Sequence, residues 1–195
     1  MFYKLKLKDH VRVPPSLLNP NLPVEEAIIS AIKNTYINLI SQHLGVVIDV
    51  LRISKVYEGI IIPGDGASYY DTEFELLTFR PELQEVLLGN IRDITDFGVF
   101  MSIGPIDGMI HISQTMDDYV SFSKDKSLLG KETKRSLKVG DKCRSRVIAV
   151  SFKEAGNPKI GLTMRQEFLG KIDWVRNAIS DKKESDNKKT KEDKK

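Results

Sequence analysis

The sequence of 195 residues is poor in the residues that bind metals or form covalent cross-links. Its single cysteine, Cys143, cannot close an intrachain disulfide, and its three histidines are too far apart in sequence for ordinary zinc-ligand spacing. No apolar run approaches the roughly 18 to 20 residues needed to cross a bilayer, and the amino terminus alternates apolar and basic residues, unlike a signal peptide. We therefore expect a cytoplasmic protein with no metal, cofactor or membrane span.

The net charge of residues 1–181 is zero, with 23 basic and 23 acidic residues. The formal net charge is +3, and residues 182–195, with seven lysines against four acidic residues, account for all of it. Between Lys124 and Arg146, nine basic residues stand against three acidic ones. This local cluster, and not the overall pI, is the argument for nucleic-acid binding, although many basic loops are merely solvated.

The first 81 residues predict a small α+β domain. An apolar stripe from Ile28 to Leu44, capped by Asn21 and ended by Gly45, predicts a helix of about six turns. Alternation of side chains predicts strands at 2–7 and 69–79, and a segment rich in Val and Ile predicts a strand at 46–62. We expect the helix to lie on one face of an antiparallel, ribonucleoprotein-like sheet.

Pro81 marks a domain boundary, and residues 82–180 predict an all-β barrel followed by a helix. The predicted strands are 86–93, 97–103, 108–112, 142–150 and 159–163. Apolar residues at helical spacing predict the C-terminal helix: Phe168, Ile172, Val175 and Ile179. Residues 181–195 contain no apolar side chain, so we expect a disordered Lys-rich tail.

Alternation within the predicted strands selects candidate binding residues. Met109 and His111 share the outer face of the third strand. Lys142, Arg144 and Arg146 share one face of the fourth strand. Cations beside aromatic rings can neutralise phosphates and stack bases of a single nucleic-acid strand.

A period of two residues places Phe97 and Phe100 on opposite faces of the second strand. Phe97 is then a core residue. A bulge or a strand entry at residues 96–98, which Gly98 tolerates, would instead turn both rings outward. Both alternatives remain open at this point.

Four motifs in order resemble the RNA-binding OB-fold family first named from a ribosomal protein. They are 89–101 (GNIRDITDFGVFM), 107–113 (DGMIHIS), 137–142 (LKVGDK) and 159–165 (KIGLTMR). In that family, aromatic residues and a histidine on strands two and three bind RNA with help from nearby cations, although Ser151 stands where an acidic residue is common. The resemblance assigns RNA binding to Phe97, Phe100, His111, Lys142, Arg144, Arg146 and Lys159.

The segment 57–70 (YEGIIIPGDGASYY), placed ahead of this OB fold, resembles the E-prime family of archaeal RNA polymerase subunits. The eukaryotic counterpart is the seventh subunit of RNA polymerase II. The resemblance implies a noncatalytic stalk subunit that forms a heterodimer with the small helical F subunit and docks on the polymerase core. It also implies binding of emerging single-stranded RNA and support of transcription initiation and transcript handling. The implied docking residues are Ile62, Pro63, Gly64, Asp65, Gly66, Ala67, Ser68 and Tyr69.

Several other interpretations compete with this one. The Pro-Gly-Asp-Gly segment is also an ordinary hairpin turn sequence, although Ile60 to Ile62 place an apolar surface beside it. The chain would alternatively be a free RNA-binding factor of translation or of an exosome-like complex, or an adaptor whose barrel contacts only protein. Catalysis is not expected, because the pair Asp117 and Asp118 has no histidine or phosphate-binding loop near it in sequence.

Overall fold

The computed structural model describes residues 1–21, 23–123, 125–152, 156 and 158–180. These residues group into two compact units, one built on Met1–Pro81 and one on Glu82–Ser151 and the described residues from Lys159 onward. Within these ranges, no helix has both the length and the apolar character needed to span a bilayer.

The first unit is an antiparallel sheet with one long helix, as the sequence predicts. Its elements are β1 (Phe2–Val13), α1 (Val24–Tyr36), β2 (Ile40–Ser41), β3 (Gly45–Ile61) and β4 (Ser68–Phe79). The four strands lie in the order β1-β4-β3-β2. Strand β1 continues well beyond the predicted segment 2–7, because all twelve of its residues pair with β4.

Helix α1 packs on one face of this sheet through its apolar stripe. Ile28 and Ile32 are fully buried, and burial of a large aliphatic side chain contributes about 1.5 to 3 kcal/mol. Pro23, and not the predicted Asn21, occupies the N-cap position and forms no side-chain cap. The core of the unit comprises Val11, Val13, Ala27, Ile28, Ala31, Ile32, Val47, Val50, Phe74 and Leu76.

Helix α1 is shorter than predicted, and the expected end at Gly45 is wrong. The helix ends at Tyr36, since Ile37 is extended and Asn38 adopts a φ of 64°. Asn38 N–H then donates to Val47 O, which brings the following residues into the sheet as β2. The apolar residues of this segment suit a strand edge as well as a helix stripe, so their spacing does not locate the helix end.

Strand β3 departs from simple alternation. Its pairing with β4 shifts at four places, each of which inserts extra residues into β3. Residues facing the helix therefore recur at every third position: Val47, Val50, Ile53 and Val56. Such bulges bend a strand and increase its twist.

The second unit contains the predicted barrel. Its barrel strands are β5 (Val86–Ile94), β6 (Gly98–Ser102), β7 (Asp107–His111), β11 (Lys142–Ser151) and β12 (Lys159–Thr163). Every strand end lies within one residue of the prediction. Neighbouring strands follow the order β12-β7-β6-β5-β11, and a further pairing of β12 with β11 closes the barrel.

The segment between β7 and β11 is folded and is not the loop expected from the sequence. It contains β8 (Val120–Ser123), β9 (Ser127–Gly130) and β10 (Ser136–Lys138), which form a separate three-stranded sheet in the order β10-β9-β8. Leu128 and Leu137 pair across this sheet and are fully buried. Strands of three or four residues are too short to give a clear periodicity in a Lys- and Ser-rich segment.

A second helix, α2, covers residues 172–180 and confirms the predicted C-terminal helix. It follows the short strand β13 (Gly170–Lys171), which pairs with β11. Val175 is buried, whereas Phe168 precedes the helix and adopts a φ of 61°. The predicted tail, residues 181–195, lies outside the described residues.

Candidate functional site

Two phenylalanine rings meet on the outside of the barrel. The ring centroids of Phe97 and Phe100 lie 6.0 Å apart with an interplanar angle of 86°, and Phe97 is 50% exposed. Phe97 belongs to the turn before β6, in which the Thr95 N–H and hydroxyl both donate to Gly98 O. Alternation therefore does not apply to Phe97. The alternative of a core Phe97 is wrong, and no bulge at Gly98 is needed because β6 pairs regularly with β7.

Strand β7 adds Met109 and His111 to the same face. Met109 pairs with Phe100, and His111 pairs with Gly98. The Ser113 N–H donates to His111 Nδ1, and the Ser113 hydroxyl lies 2.8 Å from that nitrogen. A neutral ring that accepts at Nδ1 carries its proton on Nε2, which is then available to a ligand. We call Phe97, Phe100, Met109 and His111 the aromatic face.

Two ion pairs border the aromatic face. Arg92 Nη1 lies 2.5 Å from Asp107 Oδ2, and Lys126 Nζ lies 2.8 Å from Asp93 Oδ1. The Lys126 ammonium lowers the pKa of Asp93, whose carboxylate is one strand away from Phe100. Both cations remain largely exposed and can reach a phosphate.

The sequence motifs did not select Arg92 or Lys126 as site residues. Arg92 lies inside the first motif, residues 89–101, and this position could have indicated that it belongs to the site. For Lys126 the sequence offers no signal except the basic residues around it. Its contact with Asp93 joins positions far apart in sequence, and no local pattern indicates it.

The predicted cations of β11 form a strip that leads away from the aromatic face. Lys142 pairs with Asn90 of β5, which pairs with Ser102 of β6. Arg144 and Arg146 follow at two-residue steps, each about 6 to 7 Å farther along the strand. The structure thus brings Phe97, Phe100 and His111 together but spreads the three cations along β11, which β5 separates from β6.

Lys159 lies on the other side of the aromatic face. In the parallel pairing of β12 with β7, Gly161 lies opposite Met109. Lys159 is therefore two residues along β12 from the position opposite Met109. Arg146 is farther around the barrel, where it pairs with Thr163 of β12. The Nε atom of Arg146 is buried and has no hydrogen-bond partner among the described residues.

Lys142 and Arg144 also line a groove beside α2. The groove has a volume of about 710 Å³, and its walls include Leu88, Ile179 and Arg176. Among the described residues, no carboxylate lines this groove. Its lining contains no aromatic ring, so it differs from the aromatic face in lacking a stacking surface.

The predicted docking residues lie at the end of the β3–β4 hairpin, which we call the tip, but the prediction is wrong for Ala67, whose side chain is buried. Arg12 Nη2 and Nε lie 2.6 and 2.9 Å from the two carboxylate oxygens of Asp65, and the Tyr69 hydroxyl also donates to Asp65. These hydrogen bonds lower the pKa of Asp65 to about 2. The carboxylate is therefore ionised at neutral pH and fixes the loop to β1 and β4.

The tip also exposes apolar side chains. Ile60, Ile61 and Ile62 are all exposed, with Ile61 at 69%. Gly64 and Gly66 adopt φ angles of 98° and 67°, which other residues rarely tolerate, so the turn depends on both glycines. An exposed isoleucine cluster beside a fixed turn is typical of a protein-docking surface.

The carboxylate pair Asp117 and Asp118 has structural partners. Asp118 accepts hydrogen bonds from the N–H groups of Glu132 and Thr133 and from the Thr133 hydroxyl. These bonds lower its pKa to about 2. Asp117 lies 2.8 Å from Arg165 Nη2. Asp118 therefore holds the turn after β9, and Asp117 forms an ion pair.

Comparison with known proteins identifies two domain types in the chain. Residues 8–66 match the SHS2 domain found in the N terminus of Rpb7p/Rpc25p/MJ0397, and residues 80–156 match the S1 RNA binding domain. The fold and the site therefore define an SHS2 domain followed by an S1-type OB-fold barrel, which confirms the predicted fold class.

Relatives extend over nearly the whole chain. The sequence is 35% identical to DNA-directed RNA polymerase subunit Rpo7 of Sulfolobus acidocaldarius over 92% of this chain and 98% of the relative. It is 36% identical to subunit Rpo7 of Saccharolobus solfataricus over 90% and 97%. DNA-directed RNA polymerase III subunit rpc8 of Schizosaccharomyces pombe is 34% identical over 64% of this chain and 61% of its own length. The chain belongs to the Rpo7 family, whose members are the counterparts of Rpb7 and of the E-prime polypeptide.

Proposed function

We propose that this chain is a noncatalytic stalk subunit of DNA-directed RNA polymerase that binds emerging single-stranded RNA. It docks on the polymerase core as a heterodimer with the F subunit, and it supports transcription initiation and transcript handling in the cytoplasm. Family membership supports the polymerase assignment. The observation that carries the RNA-binding assignment is the contact of the exposed Phe97 with the half-buried Phe100 beside His111.

RNA binding would proceed by stacking on the aromatic face and charge neutralisation around it. Because the two rings are nearly perpendicular, a base stacks on the face of one of them, Phe97 or Phe100, and such a contact is worth about 1 to 3 kcal/mol. His111 Nε2 donates to a base or sugar oxygen. Cations around the barrel then contact phosphates as the strand leaves the aromatic face: Arg92, Lys126, Lys142, Arg144, Arg146 and Lys159. Because none of these contacts reads a base sequence, binding should tolerate many sequences and weaken with salt.

Docking would use the tip at the end of the β3–β4 hairpin. The exposed isoleucines 60–62 supply apolar area, and the Arg12–Asp65 pair keeps the turn in one conformation before contact. A preformed loop loses less conformational entropy on binding than a mobile one. This division assigns docking to the SHS2 domain and RNA to the barrel.

Fluorescence anisotropy with a labelled oligouridine tests the RNA-binding proposal. We expect Phe100→Ala to weaken binding roughly 5- to 150-fold, since one stacked base is lost. Leu51→Ala is the control, because Leu51 is an exposed apolar residue of β3 in the first unit. For the wild type, the logarithm of affinity should fall with the logarithm of salt by about 0.7 per contacted phosphate. Equal affinities of Phe100→Ala and Leu51→Ala would contradict the proposal.

A further inference from the structure

We infer that the inserted hairpin β8–β9 forms a second wall of the RNA-binding surface, where Phe122 stacks on a base and Lys126 contacts a phosphate. This inference rests on the RNA-binding function proposed above. It goes beyond the motifs of the OB-fold family, because the hairpin lies between the second and third of them.

The tip of the hairpin is fixed beside the aromatic face. Lys126, with a φ of 51°, is in the turn, where its N–H donates to Ser123 O. Its side chain reaches Asp93 of β5 at 2.8 Å. Asp93 pairs directly with Phe100 in the β5–β6 ladder. The hairpin therefore ends one strand away from the two phenylalanines of the aromatic face.

Phe122 lies on the inner face of the hairpin. It pairs with Leu128, which is fully buried and which also pairs with the buried Leu137. Ser121 and Leu129 pair on the opposite, outer face. Although Phe122 shares the buried face, it remains 41% exposed near the tip. Part of its ring is therefore open to solvent on the buried face of the hairpin, close to the turn that holds Lys126.

The chemistry of this wall favours single-stranded RNA as the ligand. Phe122 presents part of a ring to solvent without a ring-to-ring contact among the described residues, and Lys126 presents a cation that is 62% exposed. A stacking ring combined with a cation is the pattern of sequence-tolerant single-strand binding. An acidic protein segment would be attracted by the cation alone and would not require the ring.

Phe122→Ala in the full chain tests the inference, with Leu129→Ala as the matched control. Leu129 is 46% exposed on the outer face of the same hairpin. With labelled oligouridine, we expect Phe122→Ala to weaken binding roughly 5- to 150-fold and Phe122→Tyr to retain it, because tyrosine preserves the ring. Leu129→Ala should bind as the wild type does. Lys126→Gln should reduce the salt slope by about 0.7, the amount expected for one phosphate.

The outcomes distinguish this inference from the function on which it rests. If Phe100→Ala loses affinity while neither Phe122→Ala nor Lys126→Gln does, the hairpin wall is wrong and the RNA-binding function stands. If the wild type shows no salt-dependent binding, both are wrong. Should Lys126→Gln lose affinity while Phe122→Ala binds normally, the hairpin contributes charge only and stacking on Phe122 is overturned. Circular dichroism of each variant excludes loss of folding as the cause.

Discussion

At the scale of the single residue, the aromatic face depends on a glycine as much as on its rings. A Cβ atom at Gly98 would lie 2.5 Å from Ile110 O and 3.3 Å from the Cα of His111. Both contacts are with backbone atoms of β7, which cannot rotate away as a flexible side chain can. Gly98 thus permits the close approach of β6 to β7 that places His111 beside the phenylalanines.

We expect Gly98→Ala to destabilise the protein by about 1 to 3 kcal/mol, the usual cost of overpacking. Because β7 must move at His111, RNA affinity should fall as well. Urea unfolding measures the first effect and oligouridine anisotropy the second. Gly161→Ala is the control, since its nearest contact is the Ala149 side chain at 3.2 Å. Equal destabilisation by the two substitutions would refute the role given to Gly98.

At the scale of the element, strands were predicted where one face is buried over several residues. The barrel strands agree with the sequence because Ile110 and its neighbours alternate cleanly between inside and outside. The sequence does not predict the end of α1 at Tyr36, because the apolar residues between 37 and 44 fit a helix stripe as well as a strand edge. Phe97 was ambiguous because it belongs to a turn, where alternation carries no information. The contact between Lys126 and Asp93 joins separate elements, and no local pattern predicts it.

Three strands of the first unit converge on one carboxylate. Glu75 of β4 has no exposed side-chain surface, and Arg52 of β3 reaches its two oxygens at 2.7 and 3.0 Å. Lys4 of β1 lies 2.7 Å from the same carboxylate. Hydrogen bonds from Arg52 first, and then from Lys4, lower the pKa of Glu75 to about 2. The cluster connects the solvent-facing sides of β1, β3 and β4.

This cluster predicts a specific acid sensitivity. The pKa of Glu75 is lower in the folded state than its ordinary value of 4.5, so its contribution to stability is complete above pH 4.5. The contribution decreases as the pH falls from there towards 2. Glu75→Gln should therefore destabilise the protein at pH 7 and should differ less from wild type at pH 2.5. Urea unfolding followed by circular dichroism at the two pH values measures both differences. Glu58→Gln, at an exposed position of β3, should leave stability unchanged.

At the scale of the whole molecule, the two proposed activities lie on separate compact units. The tip of the β3–β4 hairpin, with Ile60 to Ile62, belongs to the unit built on Met1–Pro81. The aromatic face belongs to the unit built on Glu82–Ser151. The sequence motifs selected the phenylalanines and the histidine of that face because those residues lie within contiguous motifs. They did not reveal that the β11 cations step away from the rings, because the register between strands depends on the closed barrel.

Because docking and RNA binding are assigned to separate units, a substitution should impair one activity without impairing the other. We expect Ile61→Ser to reduce retention of the tagged chain on purified RNA polymerase core, with an affinity loss of roughly 30-fold if Ile61 is a central contact. The same variant should bind oligouridine normally. Phe100→Ala should behave in the opposite way. Leu51→Ser is the matched control for the tip, because Leu51 is an exposed residue of β3 outside the hairpin end. If Ile61→Ser and Leu51→Ser are retained on the core equally well, the tip is not the docking surface, and the interpretation as a free RNA-binding factor gains support.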